Sequence, residues 1–223
     1  MESERRVPLS KDVVLRAAIA LVDQDGIESL SMRKLGQALR VEAMSLYNHV
    51  ANKDDILDGI ADQVLNEIAL PAAGGDWAAA IWTCATSAHT ALAAHPWACT
   101  LIMSMSRPLP ARLRYMDSVL RCLREAGFSA AATYHGYHAL DSHILGFTLW
   151  EAGHSITNKD EIADFLPMLT SHGYPHLVEH ATQHLAGFGQ DEDGEFEFGL
   201  RLILDGLKRM RSGERTGREG SWR

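Results

Sequence analysis

The strongest constraint on this chain is a hydrophobic period of 3.6 that recurs from end to end, with no stretch alternating apolar and polar long enough for a strand. A chain patterned this way folds as packed helices. From Ser10 to Asp25, the residues Val14, Ala17, Ala18, Leu21 and Val22 fall on one face, with Ser10 placed to cap the start and Gly26 to stop the end. Two short helices are predicted over Met32–Leu39 and Ala43–Val50. A longer one follows, its stripe formed by Ile56, Leu57, Ile60, Ala61, Val64, Leu65 and Ile68. Asn52 sits at its N-cap position, and Asp54 and Asp55 suit the positive end of its dipole.

The run Pro71-Ala72-Ala73-Gly74-Gly75 interrupts the pattern and marks the best internal boundary. It divides a head over 1–53, joined by a helix at 54–70, from a larger body over 71–211, leaving a Gly-, Ser- and charge-rich tail at 212–223. Body helices are expected near 76–94, 96–105, 110–126, 129–153, 161–169, 175–188 and 195–211. The last carries Phe196, Leu200, Ile203, Leu204 and Leu207 on one stripe, which a second copy of the chain is expected to cover. The fold class is therefore all-α, a three-helix head on a helical body.

Composition narrows the class further. The 223 residues are 46% hydrophobic and 22% charged, ordinary for a folded protein. Cys84, Cys99 and Cys122 are odd in number and show no CxxC spacing, which points away from disulfides and zinc and towards a reducing cytoplasm. The charged N-terminus lacks an apolar signal region, and no run reaches the roughly 20 apolar residues a spanning helix needs, so no membrane partner is expected. Net charge is −8, yet it is unevenly spread: residues 1–53 hold 8 basic against 7 acidic side chains, and the rest hold 13 against 22. A near-neutral head on an acidic body permits a local basic face for DNA.

The segment Leu30 to Lys53, LSMRKLGQALRVEAMSLYNHVANK, carries the functional signal. Two short helices joined by a tight turn, between two amphipathic helices, have the layout of a helix-turn-helix. Leu30, Leu35, Leu39, Val41, Leu46 and Val50 are assigned to its core, which leaves Arg33, Ser45, Tyr47, Asn48 and His49 facing outwards. Arg33 can fork onto a guanine edge or a phosphate, and Asn48 can pair with adenine. Ser45, Tyr47 and His49 offer groups for phosphates or bases. Lys53 joins a cation to the N–H groups of a helix start.

This stretch closely resembles the DNA-binding head of the TetR family of bacterial transcriptional repressors. The matching elements are Leu30-Ser31-Met32-Arg33-Lys34-Leu35, Val41, Leu46-Tyr47-Asn48-His49-Val50 and Asn52-Lys53. The resemblance implies that Ser31, Arg33, Ser45, Tyr47, Asn48, His49 and Lys53 contact operator DNA. Arg40 departs from the family, which usually has a turn glycine there; an arginine at positive φ is strained. In the body, Trp77, Ala94-His95-Pro96, Arg107-Pro108, Gly127-Phe128 and Phe196-Glu197-Phe198-Gly199-Leu200 look like a tetracycline-repressor-type regulatory domain. That implies a homodimer whose helices near 129–153 and 195–211 pair across a two-fold axis, and a small-molecule inducer.

By the same resemblance the inducer pocket is expected among the helices at 76–94, 96–105, 110–126 and 129–153. Its candidate lining is Leu101, Met103, Met105, Arg107, Met116, Leu120, Tyr134, Tyr137, His138 and Asp141. Three methionines suggest a tolerant apolar cavity for an apolar or aromatic ligand. Cys84 and Ala88 stand where the tetracycline repressor places an asparagine and a phenylalanine. Its magnesium histidine is replaced within Leu101-Ile102-Met103, so tetracycline–magnesium is not the expected inducer.

Histidine usage is the anomaly: 11 in all, eight of them between His135 and His184. His176, His180 and His184 fall on one stripe at i, i+4, i+8, a spacing that can chelate a metal, although a solvated or interface face is the simpler reading. A metal-responsive regulator or a metal-dependent hydrolase is the alternative. No HExxH, nucleophile elbow or phosphate-binding glycine loop supports an enzyme, and neither a cofactor nor a catalytic residue is expected.

Overall fold

A computed structural model describes residues 8–153, 159–187 and 194–215, and they are helical with no strand among them. The head begins with α1 (Lys11–Asp25), which Ser10 caps by accepting the Val13 N–H at 3.3 Å and which ends at Gly26, φ 80°. A 3-10 turn (Ile27–Ser29) leads to α2 (Met32–Leu39), α3 (Ala43–Leu46) and α4 (Lys53–Asn66). Val14, Leu15, Ala18, Val22, Leu30, Leu35, Leu46, Val50, Ile56 and Ile60 bury together as the head core. Leu39 and Val41, expected inside, are partly buried at its rim.

The helix expected over 43–50 is shorter. After Leu46 the backbone tightens: Tyr47, Asn48 and His49 donate to carbonyls three residues back at 3.3, 3.4 and 2.9 Å. The closing turn aims Val50 into the core and leaves Tyr47 and Asn48 outside. Arg40 adopts φ 55°, ψ 43°, the left-handed conformation that its position suggested. That geometry costs a residue with a Cβ roughly 1 kcal/mol. Arg40→Gly should therefore raise head stability by about 0.5–1 kcal/mol, read as a higher melting temperature by circular dichroism. An unchanged or lower midpoint would mean that the arginine's own contacts outweigh the strain.

The body follows as α5 (Trp77–Ala94), α6 (Trp97–Ser104), α7 (Pro110–Glu125), α8 (Ala130–Gly153), α9 (Lys159–Ser171), α10 (Pro175–Gly187) and α11 (Glu195–Arg215). α9 exceeds its expected span at both ends and tolerates Pro167 within it. α11 runs on to Arg215, so part of the expected tail is helical, and 216–223 lie outside the described residues. Trp77, Ile81, Leu92, Tyr115, Leu123, Phe128, Leu140 and Ile144 anchor a second, larger core. Cys84 and Cys99 are packed in it as small apolar groups; burial pushes their thiols up to about 12 and about 11, so both stay protonated.

The stripe on α11 needs a correction. Phe196, Leu200, Leu204 and Leu207 are buried within one copy, against α8 and α5, and need no second chain. Phe196 stacks with His89 at 4.0 Å and His143 at 4.9 Å, which turns two histidines into packing groups. Exposed apolar residues on these two helices include Phe198 and Leu202 on α11, 60% and 58% exposed, and Leu149 and Trp150 on α8.

Helix α4 belongs to both cores. Ile56 and Ile60 lie in the head core, whereas Ala61, Val64 and Leu65 lie in the body core. Polar groups reinforce that link. Pro110 at the start of α7 has no N–H, and Asp62 of α4 accepts the next one, from Ala111, at 2.8 Å. Arg114 donates to Asn66 at 2.6 Å. Asp23, near the end of α1, accepts from Trp97 Nε1 at 2.6 Å and His95 Nδ1 at 2.8 Å on the body. A shift of α6 or α7 must therefore be felt by α1 and α4.

Candidate nucleic-acid interface and ligand cavity

The outward face of the head assembles from α2, α3 and the start of α4. Arg33, Tyr47, Asn48 and Lys53 are exposed, and Ser45 and His49 half-buried. Ser31 differs from the rest. Its Oγ caps α2 by accepting the Lys34 N–H at 3.2 Å, so its first role is local. Lys34 is drawn back to Asp25 at 3.3 Å and leaves the face to Arg33.

The start of α4 is partly occupied. Asn52 accepts the Asp55 N–H at 2.8 Å, while the Asp55 carboxylate takes the Ala51 N–H at 3.0 Å and the Lys11 ammonium at 2.8 Å. The Lys11 hydrogen bond, helped by that backbone N–H, holds Asp55 below the usual carboxylate range. These contacts fix the helix end and leave the Lys53 side chain in solvent. The sequence reading missed Met44, which is 74% exposed on α3. An apolar side chain so exposed on this face suits a thymine methyl. Its signal was available, since Met44 lies off the Leu46 side of a four-residue helix.

In the body, a cavity of about 350 Å³ opens between α4, α6, α7 and α8. Of the expected residues, Met103, Met105, Met116 and Asp141 line it. Leu65, Ile102, Pro108, Leu109, Arg112 and Leu145 complete the wall and were not anticipated. The other expected residues lie elsewhere. Leu101 and Leu120 pack on the body core without lining the cavity, and Tyr134 and His138 meet each other on the exposed side of α8 at 4.5 Å. Arg107, 83% exposed, turns to Asp58 of α4 at 3.4 Å, and the cavity's carboxylate, Asp141, is paired with another cation.

That cation is Arg112, which donates Nη2 to Asp141 Oδ2 across the α7–α8 contact; both side chains are 14% exposed. The guanidinium also lies 5.3 Å from the Tyr115 ring centroid. Burial works against the charge on Arg112, and the bond to Asp141 more than offsets it, so its pKa rises. Tyr137, also expected at the cavity, does not line it: it is buried in the body core one turn before Asp141, and its phenol is pushed up by burial and by the neighbouring carboxylate. The result is an apolar chamber with one polar end.

Of the histidine stripe, His176 is exposed with Glu179 3.9 Å away and His180 is exposed, and the His184 side chain lies outside the described residues. Among the described residues no three His, Cys, Asp or Glu converge as metal ligands. Among them, too, no helix is long and apolar enough to cross a membrane.

A helix-turn-helix head carried on a helical body with a cavity between its helices has the layout of a DNA-binding regulator of transcription. Residues 14–60 match the family described as bacterial regulatory proteins, tetR family, and residues 70–211 match the tetracyclin repressor-like C-terminal domain. An HTH-type transcriptional regulator of Saccharopolyspora erythraea is 30% identical over 92% of this chain and 87% of its own. The HTH-type transcriptional repressor DrrR1 of Streptomyces coeruleorubidus is 32% identical over 90% of this chain and 77% of its own. Among solved structures, ActR of Streptomyces coelicolor in complex with actinorhodin superposes with a TM-score of 0.69 at 28% identity, covering 91% of this chain and 98% of its own. The chain belongs to the TetR family of helix-turn-helix transcriptional regulators. Both of these curated relatives are HTH-type regulators of transcription.

Proposed function

We propose that this chain works as a homodimeric repressor, released from a two-fold symmetric operator when an apolar or aromatic small molecule enters the α4–α6–α7–α8 cavity. One observation carries the reading. The cavity wall includes Leu65 of α4, and the same helix supplies Ile56 and Ile60 to the head core, so ligand and DNA act on one rigid element. The repressor DrrR1 and the actinorhodin complex of ActR support both halves of it. Phe198, Leu202, Leu149 and Trp150 give the second copy its apolar contact.

A ligand that favours one body arrangement shifts DNA affinity by its coupling free energy, typically about 1–3 kcal/mol or 5- to 150-fold. Operator DNA must weaken ligand binding by the same factor. The protein acts through binding, with no chemical step of its own.

The test uses a DNA fragment that the purified protein enriches from its own genome, followed by fluorescence anisotropy. Tyr47→Ala and Lys53→Ala should each weaken binding about tenfold or more with the helical signal intact, since neither side chain supports the core. Lys53→Ala should also lower the slope of log affinity against log salt by about one, the signature of one lost phosphate contact. Full operator affinity in both variants would refute the interface.

A further inference from the structure

The head is tied to the body through α4 and, separately, through Asp23 near the end of α1. Asp23 Oδ1 accepts from Trp97 Nε1 at 2.6 Å and from His95 Nδ1 at 2.8 Å. A carboxylate only accepts, so the His95 ring carries its proton on Nδ1 in this pair. Both donors stand at one hinge: His95 ends α5 and Trp97 begins α6. Among the described residues, Trp97 is also the one partly buried side chain packed against both the head core and the body core. These two bonds of Asp23 leave the head, so they tie α1 to the body and add nothing to the packing of α1 itself.

The far end of α6 reaches the cavity. Ile102 and Met103 line it, and Met105 follows as the C-cap of the helix. α6 is eight residues long, so Trp97 and Met103 are about 9 Å apart along one short rod. It is also the wall helix least held in place. Its buried residues are Ala98 and Cys99 alone, against five on α7 and eight on α8. A molecule entering between these helices therefore displaces α6 before the others. Bonds of 2.6 and 2.8 Å leave no slack at its other end, so α1 follows α6.

Accepting the reading of this cavity as the inducer site, we propose that Asp23 is the residue through which α6 passes ligand binding to the head. α6 acts as a lever, with the ligand at one end and α1 at the other. Asp23 is a positioning residue, since it lies on neither the cavity wall nor the recognition face. The route through Leu65 and α4 operates beside it. The two routes differ in how they can be cut. α4 cannot be altered without opening both cores, whereas the Asp23 link is broken by removing one N–H or one carboxylate.

The test measures coupling apart from either binding event. Operator affinity is read by anisotropy without probe and with saturating 2-naphthol, a fused-ring compound at the scale of a 350 Å³ cavity. Calorimetry on the free protein gives probe affinity. The ratio of the two operator affinities is the coupling factor. In Trp97→Phe, which removes the N–H and keeps an aromatic ring between the cores, this ratio should fall at least about threefold. Asp23→Ala, which removes the acceptor of both donors, should lower it at least about fivefold. Combining the two should match Asp23→Ala alone within about twofold, because both break the same link. Probe affinity, and operator affinity without probe, should stay within about threefold in all three variants. Lost packing alone would lower the melting temperature or one of the affinities and leave the ratio where it was. An unchanged ratio overturns the proposal and leaves the coupling to α4, with the cavity still the inducer site. A ratio that falls only together with probe affinity also overturns it, since the substitutions would then have reached the cavity. If 2-naphthol leaves the operator affinity of the unmodified protein unchanged, the proposal and the cavity reading both fall.

Discussion

Gly36→Ala is expected to abolish operator binding at concentrations where the unmodified protein is saturated, a loss of about 100-fold or more. The cause is the closeness of α2 to the turn that follows it. A Cβ built on Gly36 would lie 2.9 Å from the Val41 carbonyl oxygen and 3.2 Å from the Ala43 nitrogen, both backbone atoms that cannot rotate away. The Gly36 carbonyl also accepts the Val41 N–H at 2.9 Å, so the same turn cannot be relaxed without losing a bond. Overpacking of this kind costs about 1–3 kcal/mol, and the small head core has little else to spare. Either the head loosens or α3 tilts, and a displaced α3 no longer presents Ser45, Tyr47 and Asn48 together. Anisotropy with operator DNA gives the affinity, and analytical ultracentrifugation shows whether the body keeps its assembly state. Unchanged DNA affinity would mean that the α2–α3 approach does not set the recognition geometry.

The sequence declared the head more fully than the cavity, for physical reasons. Caps are local: Ser10, Ser31 and Asn52 each bond to an N–H three residues on, so spacing along the chain was enough to place Ser10 and Asn52. The left-handed Arg40 was legible through the family resemblance, because a turn glycine is usual at that position. The cavity depends on partners far apart in sequence. Arg112 lies on α7 among Arg114, Arg121 and Arg124, and nothing local separates it from them; only a carboxylate 29 positions later draws it inward. Arg107 looked the better candidate because of the Arg-Pro pair, yet it ends beside Asp58, 49 positions earlier. Apolar stripes mislead in a related way. Periodicity showed that Phe196, Leu200, Leu204 and Leu207 are covered, but not that α8 and α5 of the same copy cover them.

Met116→Trp should make the protein unresponsive to aromatic compounds while leaving its operator affinity, measured without any compound, within about twofold. Met116 is a half-buried residue of α7 on the cavity wall, which Met103, Met105 and Leu145 also line. An indole directed there occupies the volume a ligand needs, while α7 keeps its anchors on α4: the Asp62 carboxylate on the Ala111 N–H and Asn66 on Arg114. The head therefore keeps its position on the body. Titrating 2-naphthol into the operator complex of each protein, with the anisotropy drop as readout, separates binding from coupling. The unmodified protein should lose DNA affinity as the probe saturates, and the variant should show no drop over the same range. Calorimetry on the free proteins supplies the control, since lost probe binding must accompany lost release. Release by Met116→Trp at unchanged probe concentration would remove this cavity from the mechanism, because a side chain that fills it could not then leave the response intact.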